Sequence, residues 1–258
     1  MSVEIHPTAI VSKKAEIGTN VKIGPYSIIE DNVVIGDGNE IKSHVYIASG
    51  SRIGKNNRFF SYSVIGTEPQ DLKYSGAPTE AIIGNENTIR EFATINRGTE
   101  STGKTIVGSN NLIMTYCHIA HDNRVGSNIV MANVAQFGGH VKIEDWVVVG
   151  GVVKVHQFCS IGCHSMIGAD VKIVKDVPPY TLIGKSPAKV EGINSIGLKR
   201  RGFSTETIKS IEEFYKFLIY SGLNVSDGLA KYMKKEIITE EVRHCIEFVK
   251  NSNRGIHR

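Results

Sequence analysis

"AEIGTNVKIGPYSIIEDNVVIGDG", residues 15–38, divides into four hexads with isoleucine third in each: Ile17, Ile23, Ile29 and Ile35. The rhythm runs on in both directions. Stepping by six from Ile5 meets an aliphatic or aromatic residue at every position to Ile65, then at Ile83, Ile89 and Ile95, then from Val107 to Ile173, 26 positions in all. The next residue is often glycine, as at Gly18, Gly24, Gly36, Gly54 and Gly84, which suits a chain with many tight corners needing φ > 0. Four residues after each ladder position the side chain is usually small or β-branched, as at Ala15, Val21 and Ser27. A period of six fits neither a helix of 3.6 residues per turn nor the longer strands of a sandwich. It fits a triangular parallel β-helix with three hexads per coil, in which one large and one small residue per hexad fill a narrow interior.

The remaining composition narrows the class. A chain of 258 residues, 41% apolar and 22% charged, has enough aliphatic content to fold into one large domain or two smaller ones. The net charge of +4 fits either a solvated surface or a local basic patch for a phosphorylated ligand or acidic partner. No zinc-finger spacing or aromatic-basic motif points to nucleic acid. Cys117, Cys159, Cys163 and Cys245 show no paired zinc spacing and read as four free, buried thiols of a cytoplasmic protein. The first residues lack a signal sequence, and no apolar run reaches the ~20 residues of a membrane span.

After Ile173 the rhythm ends at "VKDVPPYTLIGKSPAKV", and from Ser204 the pattern turns helical. Ser204 or Thr205 is the expected cap of a helix that stops at Gly222, with Ile208, Ile211, Phe214, Tyr215 and Leu218 on one stripe. Two more helices follow. The expected division is a β-helix over 1–191 and a small α-helical domain over 192–258.

The ladder breaks twice, by twelve extra residues after Ile65 and six after Ile95, which predicts external loops at 66–82 and 98–105. Loops inserted into a rigid solenoid are commonly functional. With eighteen residues per coil and the insertions removed, both loops leave from the edge that carries His121. Gly139 stacks one coil above His121 with His140 beside it, and Gln157 one coil higher with His156 beside it. Neighbouring coils lie about 4.8 Å apart. His118, His121, Gly139, His140, His156 and Gln157 therefore form one strip beneath two loops, with Asp122 adjacent.

Such a strip supports three readings. A neutral imidazole takes a proton from a hydroxyl, an adjacent carboxylate orients it, and a glycine N–H receives a developing oxyanion, which together make acyl transfer by direct attack. Three imidazoles and a water would instead make a hydrolytic zinc centre of the γ-carbonic-anhydrase kind. The third reading is a scaffold without chemistry. No G-x-S-x-G motif or persuasive cysteine nucleophile indicates an acyl-enzyme.

"PQDLKY" (69–74), "HIAHD" (118–122), "VHQFC" (155–159), "DVPPY" (176–180) and "GLKRRGF" (197–203) make the resemblance specific. The chain resembles, over essentially its whole length, the hexapeptide-repeat acyltransferases that transfer a 3-hydroxyacyl group from acyl carrier protein to UDP-N-acetylglucosamine in the first step of lipid A biosynthesis. The resemblance implies a mainly β, left-handed parallel β-helix with a small C-terminal α-helical domain. It implies a homotrimer with each site between two subunits, no metal, and no cofactor beyond the phosphopantetheine of the carrier. By position, His121 is the general base on the sugar 3-hydroxyl, Asp122 its partner and Gly139 the oxyanion donor. Asp71, Lys73, His118 and His140 hold the sugar and acyl group. His156, Gln157, Asn194, Arg200 and Arg201 surround the nucleotide, and two guanidiniums suit a diphosphate.

The sequence departs from the family at Asn96, where histidine is usual, at Ile196, where glutamate is common, and at Ala169, where a glycine opens the acyl groove and sets chain length. The acceptor could also be the 3-amino analogue of the sugar. A related N-acyltransferase of the same pathway carries an extra N-terminal domain, for which hexads beginning at Ile5 leave no room.

Overall fold

The computed structural model of the protein describes residues 2–234 and 238–258. The hexads wind into a left-handed parallel β-helix of triangular section. Its first face has 11 strands, beginning with Glu4–Ile5; its second has 9, from Ile10–Val11 to Lys172–Ile173; its third has 8, from Glu16–Ile17 to Ser160–Ile161. Most strands are two residues long, one outward and one inward, because the hexad leaves four residues for the corner.

Ladder residues stack on ladder residues. Ile5 pairs with Ile23 and Ile23 with Ile41, each one coil of eighteen apart. Ile65 pairs with Ile95 and Ile95 with Ile119, so the ladder residues stay in line across both insertions, and the pairing shifts by one only past Ile65, where Thr67 meets Asn96. From Ile23 onward the ladder side chains are buried, each contributing about 1.5–3 kcal/mol of transfer free energy. Ile5 is 47% exposed because no coil lies beneath it.

The glycines serve a different purpose from the one expected. Positive φ falls two residues further on, and side-chain-bearing residues carry it: Asn20, Asn32, Asn56, His140, even Val134 and Val152. Gly36, Gly54, Gly84 and Gly108 are required because consecutive coils approach there. A Cβ on Gly84 would lie 2.6 Å from the Gly108 oxygen, and one on Gly108 2.5 Å from that of Gly126. At several inward positions asparagine replaces the small residue. Asn39, Asn57, Asn87 and Asn111 are buried, and each of the first three accepts from the backbone N–H of the next in that order.

The strands flanking the insertions lengthen to Val64–Thr67 and Glu80–Ile83, then Thr94–Asn96 and Lys104–Val107. The loops narrow to 68–79 and 97–103, both between the second and third faces. Where the rhythm fades, Thr181–Gly184 joins the first face and pairs antiparallel with Lys189–Ile193, closing the prism. Among the described residues four helices follow: α1 (Ser195–Arg200), α2 (Thr205–Tyr220), α3 (Val225–Tyr232) and α4 (Glu240–Lys250). Ser204 caps α2, and the stripe Ile208, Ile211, Phe214, Tyr215 and Leu218 is buried in a second core. Helix α1 carries no hydrophobic period and was not expected. Cys117, Cys159 and Cys245 are buried, but Cys163 is only half-buried at a corner; all four are free.

Candidate active site

The corner between the second and third faces carries the histidine strip. His118 opens the strand His118–Ile119, and His121 and Asp122 form the following turn. His140 N–H donates to the His121 carbonyl one coil below (3.1 Å), and Phe158 N–H to the Gly139 carbonyl (3.0 Å). Gly139 lies directly over the imidazole. A Cβ there would stand 2.5 Å from His121 Cε1, so any side chain at 139 would push this ring aside. The rings of His121 and His140 meet edge to face at 5.4 Å, and His140 stacks on Phe158 at 4.5 Å.

Asp122 is buried and heavily bonded. His121 Nδ1 lies 2.7 Å from its Oδ2. The hydroxyl of Thr99 donates to the same oxygen (2.7 Å), the Thr99 N–H donates to both, and the hydroxyl of Thr102 donates to Oδ1. Asp122 N–H donates to Thr105 Oγ1 (2.8 Å). Burial by itself would raise the carboxyl's pKa, but the bonds from Thr102, His121 and Thr99 outweigh it and hold it below the usual range. An ionised Asp122 fixes the proton of His121 on Nδ1 and leaves Nε2 with a free lone pair. Thr99 and Thr102 come from the second inserted loop, so the loop braces the dyad; sequence spacing gave no sign of this, since threonines in a polar loop look ordinary.

His118 turns its Nδ1 to Thr94 Oγ1 (2.7 Å). Burial, and then the nearby His121, push its pKa down. Burial also lowers that of His140, against the opposing pull of Asp122. Three imidazoles therefore do not converge; the donors that do are those of His121, Asp122 and His140. The Gly139 N–H meets no acceptor among the described residues. At comparable corners a side chain takes that N–H: Asp37 from Thr19, Glu30 from Ser49, Asp145 from Ser127. In the first loop Asp71 is half-buried and near enough to His140 to pull on its proton, while Lys73 is exposed. His156 and Gln157 are exposed one coil above Gly139.

The other predicted residues sit elsewhere. Arg201 lies over the Trp146 ring (5.3 Å from its centroid) and against His164 Nδ1 (3.4 Å), at the corner between the third and first faces. Asn194 is buried and caps α1: its Oδ1 accepts from Gly197 N–H (3.2 Å), and its amide donates to the His164 carbonyl (2.9 Å). Arg200 is exposed at the end of α1. In one chain the width of the third face, roughly 20 Å for a hexad, separates the arginines from His121. Ala169 is exposed at the remaining corner.

The chain is similar to known proteins over nearly its whole length. A profile described as UDP N-acetylglucosamine O-acyltransferase, domain 2, matches residues 176–257, and one for bacterial transferase hexapeptide repeats matches 14–49. The acyl-[acyl-carrier-protein]–UDP-N-acetylglucosamine O-acyltransferase of Janthinobacterium sp. (strain Marseille) is 48% identical over 98% of this chain and 99% of its own length. The chain belongs to the acyl-[acyl-carrier-protein]–UDP-N-acetylglucosamine O-acyltransferase family. The enzyme of that name from Thiobacillus denitrificans is 47% identical over the same shares. Among solved structures, the UDP-N-acetylglucosamine acyltransferase of Bacteroides fragilis superposes with a TM-score of 0.97 at 44% identity, covering 98% of this chain and 100% of that one. The protein is thus an acyltransferase.

Asn96 and Ile196, singled out in the sequence, lie in contrasting surroundings. Asn96 is buried, and its amide donates to Thr67 Oγ1 (3.0 Å) and to the Glu68 carbonyl (2.9 Å), pinning the root of the first loop. Ile196 is 66% exposed on the first turn of α1.

Proposed function

We propose that this acyltransferase moves a 3-hydroxyacyl group from acyl carrier protein to the 3-hydroxyl of UDP-N-acetylglucosamine, the first step of lipid A biosynthesis, by direct attack. His121 Nε2 takes the proton of the hydroxyl as its oxygen attacks the thioester carbonyl. The Gly139 N–H stabilises the resulting oxyanion. Collapse expels the carrier's phosphopantetheine thiolate, which regains a proton from the imidazolium. Asp122 holds the ring and stabilises its charge without taking the proton. The observation that carries this reading is the His121–Asp122 bond of 2.7 Å beneath an unsatisfied glycine N–H.

The site is proposed to lie between two subunits of a homotrimer, since one sugar nucleotide meets both the His121 corner and the Arg201 corner only if a neighbouring chain brings the second. Asn194 then acts by setting α1, and Arg200 and Arg201 hold the diphosphate. Asp71, Lys73, His118 and His140 bind the sugar and acyl group, His156 and Gln157 the nucleotide, and Ala169 limits acyl length. The four free cysteines fit a reducing, cytoplasmic setting. The acidic carrier docks on basic surface near the helical tail, with an affinity that falls as salt rises.

Purified protein, a panel of acyl carrier thioesters, and UDP-N-acetylglucosamine or its 3-amino analogue, read by mass, test the reading. Ester formation on the hydroxyl sugar is expected, and His121→Ala should lower kcat by about 10²–10⁴. Near-normal turnover by that variant would remove His121 as base. A metal bound at His121, Asp122 and His140 and lost with His121→Ala would favour the metal reading instead.

A further inference from the structure

Outside the active site, among the described residues, one other cluster brings three metal-ligating side chains together: Glu144, Cys163 and His244, whose donor atoms all lie within 4.8 Å of one another. They come from three places in the chain. Glu144 follows the strand Lys142–Ile143 and Cys163 turns the corner one coil above it. His244 is on α4, which packs across that corner. His244 Nε2 lies 2.8 Å from Glu144 Oε2, and the same oxygen accepts from the Cys163 N–H (2.8 Å). The three therefore already point at one place. They line an open cavity of about 690 Å³ with Glu240 and Glu241, so the cavity is acidic and an ion can reach it. Glu241, one turn before His244, shares its side of the helix.

We propose that Glu144, Cys163 and His244 form a Zn²⁺ site that ties α4 to the corner between the third and first faces of the β-helix. A thiolate, an imidazole and a carboxylate are the donor set of a borderline-soft ion, and three protein ligands leave the fourth tetrahedral position to water from the cavity. Zinc bonds of ~2.0–2.3 Å put donors roughly 3.3–3.8 Å apart, so closure needs side-chain shifts of about an ångström. Glu144 and His244 are 36% and 38% exposed and have that freedom. Binding releases to solvent both the thiol proton and the proton that His244 Nε2 directs at Glu144, so affinity falls as pH is lowered. All three ligands belong to one chain, so the site needs no second subunit. It also stands next to His164, the residue against which Arg201 rests, and zinc would stiffen that corner.

The test uses full-length protein freed of metal by a chelator and then titrated with Co²⁺ or Zn²⁺ alone, with no acyl donor or sugar. One Co²⁺ per chain with a thiolate-to-cobalt absorption band in the near ultraviolet is expected. Zn²⁺ should displace it and raise the Tm. Cys163→Ser should abolish the band and His244→Ala should weaken Zn²⁺ binding at least about tenfold, whereas Cys117→Ser and His121→Ala should leave both unchanged. His244→Ala replaces a half-exposed helix residue and decides the matter should Cys163→Ser fail to fold. A missing thiolate band, a band that survives Cys163→Ser, or a band lost with His121→Ala would each overturn the proposal.

Discussion

Mixing two impaired variants should restore activity in a fixed proportion. His121 and Arg201 stand on different corners of one chain, so a site shared between chains takes its imidazole from one subunit and its guanidinium from the next. His121→Ala removes the base and costs about 10²–10⁴ in kcat. Arg201→Ala removes a charge-assisted contact to the diphosphate worth about 1.5–3 kcal/mol, or roughly ten- to hundredfold in KM. If the protein is the proposed homotrimer, co-expressing the two with different tags and purifying through both tags isolates mixed trimers. Around a three-fold ring, any 2:1 mixture contains one site with an intact His121 from one chain and an intact Arg201 from its neighbour. Assayed well below KM, mixed trimers should therefore recover about one third of wild-type activity, far above either parent. Recovery no higher than the parents would mean that both residues serve a site within one chain, and the intersubunit reading would fall.

Gly139→Ala should lower kcat by at least about tenfold with little change in Tm, because a methyl 2.5 Å from His121 Cε1 displaces the ring; unaltered kcat would show that the ring does not need this place. Asp122→Asn should lower kcat more than KM, since an amide can donate to Nδ1 and select the wrong tautomer, and a change confined to KM would contradict the orienting role. His118 and His140 have pKa values lowered by burial, so the unfolded chain takes up their protons first as pH falls. Their contribution to stability is full above about pH 6.5 and is lost as pH drops through their folded values. His118→Gln should flatten the pH dependence of Tm relative to the wild type, in which His164 and His257 shift the same way and His244 the opposite way; identical slopes in the two proteins from about pH 7.5 to 5 would refute it.

Much of the fold was written in one dimension. A period of six with one large inward residue permits only a narrow prism, and parallel stacking then makes position in the coil predictable from counting. That is why the arithmetic of insertions placed both loops on the His121 corner and set Gly139 over His121. The glycines show where counting stops: their spacing was visible, but the backbone approach that demands them, 2.5–2.6 Å to a neighbouring coil's oxygen for a Cβ on Gly84 or Gly108, exists only between coils.

The sequence alone determined the β-helix, its register, the histidine strip and the three longest helices, because each depends on local periodicity. The tertiary structure decided what periodicity does not carry. Thr99 and Thr102 grip Asp122 through a folded-back loop. Asn194 is spent on capping α1, and Arg201 rests on Trp146 a full face away from His121. Glu144, Cys163 and His244 meet although 100 residues separate the first from the last. These contacts join segments whose spacing in the chain obeys no repeat, so only the packing of coil against loop and helix brings them together.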